Sequence, residues 1–196
     1  MPRPPQFDRN EALNKALDLF WSDGYEASSI SKLLDTMDLN RGSLYSTFRD
    51  KRSLFELAMA QYVQNLSELT DRTLVKIPDP LEALREFFYQ AFIGGDGKKA
   101  NGCLLFNTIT ELTNTMPAIA NEASDYLLEV RELFLKRLIE AKNKNMLNED
   151  KDVDAQANFL LGVLAGFRVL CKMNFDANAL KEVIDLAFSN VFKEAY

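Results

Sequence analysis

Ser28–Leu54, SSISKLLDTMDLNRGSLYSTFRDKRSL, is the stretch on which the fold turns. Ile30, Leu33, Leu34 and Met37 recur at i, i+3, i+4 and i+7, the spacing of one helix face. Ser28 or Ser29 can cap that helix, because a hydroxyl accepts from the free N–H groups of a first turn. Asp38-Leu39-Asn40 then makes a tight turn with Leu39 as its buried peg. Asn40 can cap a second, short helix from Arg41 to Phe48. Two short helices joined by such a turn form a helix-turn-helix, which sets its second helix in the major groove of DNA.

Leu44 and Phe48 lie four apart and are expected to face the core. That leaves Arg41, Gly42, Ser43, Tyr45, Ser46 and Thr47 outside. Arg41 stands at the helix start, the end that reaches base edges first, and its fork matches guanine O6 and N7. Gly42 costs roughly 1 kcal/mol of helix stability against Ala, and close approach of backbone to DNA is a reason to keep it. Ser29, Tyr45 and Thr47 can donate to phosphates and Lys51 can neutralise one. The expected DNA-binding set is therefore Ser29, Asn40, Arg41, Gly42, Ser43, Tyr45, Thr47 and Lys51.

DLNRGSLYSTFRDKRSLF resembles the signature of the TetR family of bacterial repressors: a small residue after Gly, Leu-Tyr, Phe three later, then Lys and Leu. ALNKALDLFWSDGYEASSISKLLDTMDL is similar to the family's first two helices. The specific resemblance covers about residues 9–57. It implies an all-α protein of about nine helices, with an N-terminal three-helix DNA-binding domain (1–50) and a C-terminal helical effector-binding and dimerisation domain (51–196). It also implies a homodimer on a double-stranded operator, released by a small molecule.

Composition agrees with that class. Of 196 residues, 47% are hydrophobic, ample for a core, and there is no histidine. Ser-His and Cys-His pairs and the commonest metal ligand are thereby removed. No nucleotide-binding glycine pattern appears. No enzyme activity, metal or cofactor is expected. No apolar run approaches the ~20 residues of a membrane span. The N-terminus lacks the apolar core of a signal peptide, so a soluble cytoplasmic protein without a membrane partner is expected. The two cysteines are too few for a disulfide framework. Net charge is −6. Residues 1–52 carry eight basic and eight acidic side chains, leaving fifteen basic and twenty-one acidic for the rest. A neutral head on an acidic body can dock locally through Arg3, Arg9, Arg41, Arg49, Lys51 and Arg52. Modest affinity per monomer makes dimerisation necessary.

In chain order, Met1–Gln6 reads as a Pro-rich basic tail. Helices are expected at about 8–22, with Leu13, Ala16, Leu17 and Phe20 inward, and at 50–74, with Leu54, Leu57, Ala58 and Tyr62 inward. Further helices follow at about 81–93, 102–114, 118–145, 154–173 and 177–195. Gly94–Lys99 reads as a flexible break and Asn148–Asp154 as a loop. The helix at 154–173 is apolar on most of its surface, and one buried all round needs partners on several sides. Gly162 and Gly166 would allow close approach of another helix. With Phe167, Leu170, Val183, Ala187 and Val191 they form the expected dimer interface, a four-helix bundle.

Aromatic and polar residues of the second domain could line an effector cavity: Tyr62, Phe88, Phe92, Phe106, Asn107, Glu111, Tyr126, Phe159 and Phe167. Asn107, Thr108 and Glu111 make a polar row, and buried polar groups need partners. Cys103 joins this set. It falls at the expected start of a helix, after Lys98 and Lys99, and both features favour thiolate. Gly-Cys-Leu-Leu-Phe-Asn resembles a branch of the family that includes electrophile-sensing repressors as well as members sensing ligands non-covalently. Three readings follow. One is a ligand-released repressor binding a palindromic operator. The second is a redox- or electrophile-sensing repressor acting through Cys103. The third is an all-helical binding or enzymatic protein whose helix-turn-helix is only structural.

Overall fold

The computed structural model describes residues 7–93, 101–147, 152–173 and 175–191. These form nine α-helices and, among the described residues, no strand: α1 (Arg9–Asp23), α2 (Ile30–Met37), α3 (Arg41–Phe48), α4 (Lys51–Thr70), α5 (Pro80–Phe92), α6 (Leu104–Leu112), α7 (Pro117–Asn143), α8 (Val153–Lys172) and α9 (Ala177–Val191). The expected tail and the glycine-rich break at 94–99 lie outside the described residues, as does most of the 148–154 loop.

The ends of the helices follow from local chemistry. Asp8 caps α1 by accepting from the N–H groups of Asn10 and Glu11, and Gly24 closes it at φ 86°. Ser29 caps α2, whereas buried Ser28 instead donates its hydroxyl to the Gly24 carbonyl at 2.7 Å. Asp79 accepts from Leu81 and Glu82 at the start of α5, where Pro80 supplies a preset φ. α6 begins at Leu104 rather than at Gly102, because Gly102 has φ 75° and cannot continue a right-handed helix. Cys103 therefore precedes α6 instead of lying in it.

The chain divides into two compact units. The first comprises residues 1–65 and 104–123, the second 66–103 and 124–196. The reason is the inward face of α4. Leu54, Phe55, Ala58 and Met59 are buried, and Phe55 sets its ring edge-on to Phe20 of α1 at 5.0 Å. α6 also packs on α1 and so belongs with the N-terminal helices. Trp21 and Tyr62 meet edge-to-face at 5.1 Å in the same unit.

The second unit is built around phenylalanine. Phe87 and Phe88 of α5, Phe134 of α7, Phe167 of α8 and Phe188 of α9 are all buried, with ring centroids 5.3–6.3 Å apart along the cluster. Arg131 of α7 ties down the start of α8 through Asn158, at 2.9 Å, and Asp154. Tyr89 donates to Asp185, joining α5 to α9 at 2.7 Å. α8 is long and apolar enough, by length and composition alone, to cross a membrane, although Asp154 and Arg168 interrupt its apolar run. Its apolar residues fall on two faces. Ala157, Leu160, Leu164, Phe167 and Cys171 are buried inside the unit, while Phe159 and Val169 are exposed. α8 is thus not buried all round.

Candidate nucleic-acid interface

α2 and α3 are held at a fixed angle by the turn between them. Asp38 takes a left-handed conformation at φ 54° and ends α2, and the Leu39 N–H donates to the Leu34 carbonyl at 3.0 Å. Asp tolerates that conformation better than most residues. Leu39 is half-buried rather than fully so. Asn40 caps α3 through Oδ1, which accepts from Ser43 N–H at 2.9 Å. Leu44 and Phe48 anchor the helix in the core.

The opposite face of α3 is open. Arg41, Gly42, Tyr45 and Ser46 are exposed, Tyr45 at 44%, and Ser43 and Thr47 are half-buried at its edges. A methyl group at Gly42 would stand 3.3 Å from Asn40 Oδ1, close enough to press on the cap. The capping role of Asn40 and Ser29 adds a structural duty to their expected DNA contacts. Arg9 places its guanidinium 5.5 Å from the Phe48 ring centroid, at the far end of α3. Arg3 lies outside the described residues.

Lys51 opens α4 and is half-buried. Its ammonium lies 4.3 Å from the centre of the Tyr25 ring and 3.5 Å from the Glu26 carbonyl oxygen. Burial holds its pKa below the ordinary lysine value, with Glu26 and Glu111 pulling the other way. The turn beneath it, Gly24–Glu26, is fastened from α6. Glu111 accepts from Tyr25 N–H at 3.0 Å through one oxygen and from Glu26 N–H at 2.8 Å through the other. A side chain at Gly24 would collide with that carboxylate at 2.8 Å. Glu111 is expected in an effector-lining row; both its oxygens hold the turn that carries Lys51.

Two family models match the chain, one of them over the helix-turn-helix with its open, polar, Arg-led second helix. Residues 12–58 fit the tetR family of bacterial regulatory proteins, and residues 80–187 fit the tetracyclin repressor-like C-terminal domain. The chain belongs to the TetR family. It is similar to the HTH-type transcriptional regulator YezE of Bacillus subtilis, 28% identical over 96% of this chain and 98% of that one. It is also similar to the HTH-type transcriptional repressor ComR of Escherichia coli, 26% identical over 92% and 87%. Among solved structures, a cysteine mutant of the TetR family regulator CifR, complexed with 26-bp operator DNA, superposes with a TM-score of 0.82. It is 28% identical, covering 96% of this chain and 99% of that one.

The remaining expected site residues of this TetR-family regulator fall in different places. In the first unit, Tyr62 is packed against Trp21, and Phe106 and Asn107 are half-buried on α6. Thr108 Oγ1 is buried with no hydrogen-bond partner among the described residues. In the second unit, Phe92 and Phe167 stack at 4.8 Å, Phe88 meets Phe92 tilted and Phe167 edge-on, and Tyr126 is half-buried. Phe159 is the clearest departure. It is 46% exposed and lines an open groove of about 290 Å³ with Val163, Gly166, Phe167, Leu170, Val183, Leu186 and Ala187. At 100° per residue, Phe159 shares a face with Val163, Gly166 and Leu170 and not with the inward stripe. Gly162 and Gly166 have nothing within 4 Å of a Cβ position, and Leu186 is 64% exposed. The Val191 side chain lies outside the described residues.

Sequence reasoning missed one residue of this unit altogether. Arg168 is only 9% exposed. Its guanidinium carbon stands 4.7 Å from the Phe92 ring centroid, and Nη1 reaches the Gly102 carbonyl at a long 3.5 Å. Nε is buried with no acceptor, and no carboxylate pairs with Arg168 among the described residues. Burying an unpaired ion costs several kcal/mol even after relaxation. A cation–π contact returns about 2 kcal/mol at best. Its only signal in the sequence was a charge inside an apolar helix.

Proposed function

We propose that the protein is a homodimeric transcriptional repressor that binds a near-palindromic operator through α3 of each subunit and is released by a small, largely apolar effector. The observation that carries this reading is the face of α3: a core-anchored helix whose outward residues are Arg41, Gly42, Tyr45, Ser46 and Thr47. Arg41 reads bases, Lys51 takes a phosphate, and Ser29, Ser43, Tyr45 and Thr47 donate to the backbone. The second copy covers the α8–α9 groove, since an apolar face with Phe159, Val183 and Leu186 outward asks for a partner. A protein of this kind works in the cytoplasm, where its operator is.

The effector belongs with the aromatic residues of the C-terminal part, Phe88, Phe92 and Phe167 among them. Aromatic walls with a few polar groups suit small apolar molecules. Nuclease footprinting of the purified protein across the DNA flanking its own gene is the test. A protected site of two related half-sites is expected, and protection independent of sequence would overturn the reading.

A second reading gives the signal to Cys103. It is buried at the threshold of α6, and α6 carries Glu111, which holds the turn beneath Lys51. A thiol adduct there would change how α6 begins. Cys103→Ser should then stay on DNA in the presence of an oxidant or electrophile that releases the wild type. Release of both alike would assign induction to a non-covalent ligand.

A further inference from the structure

We infer that Arg168 is the anchor for a carboxylate, and that the effector is a monoanionic acid with an apolar body. This rests on the reading of the C-terminal part as an effector-binding unit and names the ligand's chemical class. Arg168 is more than nine-tenths buried; among the described residues its Nε has no acceptor and the guanidinium's hydrogen bond to Gly102 O is long. A guanidinium is never neutral at physiological pH, so it cannot escape the burial cost by losing a proton as a lysine could. The cost is removed by bringing in one negative charge.

The surroundings define what that charge is attached to. The flat guanidinium lies over the Phe92 ring, and Phe92 stacks on Phe167 at 4.8 Å. A planar carboxylate matches the guanidinium fork edge to edge with two parallel hydrogen bonds. The one guanidinium of Arg168 balances one negative charge, as a carboxylate carries. Lys172, one turn further along α8, is exposed, and its stem packs against the same residue, with Cε 2.9 Å from a Gly102 Cβ position. Gly102, at φ 75°, leaves no room for a side chain against the Lys172 stem and the Arg168 carbonyl oxygen, and leads the chain into Cys103. An acid bound at Arg168 therefore sits against the segment from which α6 begins.

The experiment uses the full-length protein with benzoate, cinnamate and decanoate as probes, each beside its neutral amide. Binding is measured by calorimetry, separately from operator release. At least one acid should bind ten-fold or more tighter than its amide, and Arg168→Met should abolish that preference. Arg168→Lys, which keeps the charge and loses the fork, should weaken acid binding. Without ligand, Arg168→Met should melt at or above the wild-type temperature, because it removes an uncompensated charge. Acids that bind both proteins equally, or no acid binding together with an Arg168→Met variant that melts lower, would overturn the inference. Amides that release the operator from both proteins, with no acid bound, leave the repressor reading standing and sink this one. Acids that bind through Arg168 without releasing operator would overturn the assignment of the acid as effector.

Discussion

Arg41 opens α3 and Lys51 opens α4, and the two should fail differently when removed. Arg41 is exposed and makes no hydrogen bond or ion pair among the described residues, so Arg41→Ala should leave melting unchanged while costing on the order of 1–3 kcal/mol of operator binding and relaxing base preference at one position. Lys51→Ala should weaken binding to all sequences alike and reduce the salt slope by about one per subunit. Titration against operator variants at several salt concentrations separates the two; uniform loss for both would remove Arg41 from base reading. Lys51 also makes a pH prediction. Its folded pKa is depressed by burial, so the charged form is disfavoured on folding and that cost disappears as pH rises through the folded value. Phosphate favours the charged form, so operator binding takes up a proton in the alkaline range. Affinity should fall as pH rises through the pKa of the free protein, at lower pH than for an ordinary lysine. Lys51→Arg should flatten that limb, because a guanidinium keeps its proton. Equal pH profiles for the two proteins would show that Lys51 does not meet phosphate.

At the scale of elements, the caps and anchors of α2–α3 were legible in the sequence and the tie from α6 was not, and the difference is one of range. Ser29, Asn40, Leu44 and Phe48 act within three or four residues of themselves, so caps and anchors could be read directly from spacing. Glu111 acts on Tyr25 and Glu26, some 85 residues away, and nothing in its own neighbourhood announces that. Arg168 was missed, and the outward face of Phe159 was not foreseen, for a related reason. An all-apolar helix pattern does not say which of two faces is closed, nor whether a charge in it points in or out. The Glu111 contact predicts a coupling. Glu111→Ala frees two backbone N–H groups, each bond to a charged acceptor being worth about 1.5–3 kcal/mol when buried and less in this part-buried position. Exchange of the Tyr25 and Glu26 amides should accelerate, and operator affinity should fall about ten-fold in protein without effector. Unchanged exchange at both amides would mean the carboxylate only decorates the turn.

For the whole molecule, the open face of α8 and α9 and the reading face of α3 make linked demands. Gly162 offers a clean test of the first. A Cβ there meets open space within one chain, so Gly162→Leu should not harm the fold, and removing an exposed helical glycine should add up to about 1 kcal/mol. In a close-packed dimer the same side chain has no room. The variant should sediment as a monomer at micromolar concentration while melting no lower than wild type; a stable wild-type monomer would end the four-helix-bundle reading. The second demand is spacing. Two α3 helices reach one face of DNA only if they are about one helical turn, 34–36 Å, or a multiple apart. An effector can release the operator only by favouring a conformation with another spacing, since equal affinity for both would shift nothing. α4 is the natural lever: it runs unbroken from Lys51 to Thr70, and Lys51 rests on the turn that Glu111 of α6 holds. A ligand that moves α6 pulls at that turn and at the start of α4 together. The decisive measurement is the separation of the two Tyr45 residues in free, effector-bound and operator-bound dimers. It should match the DNA turn in the operator complex, depart from it by several ångströms with effector, and vary between the two in the free protein. The same distance in all three states would rule the lever out and leave release to a change in charge or order at α3 itself.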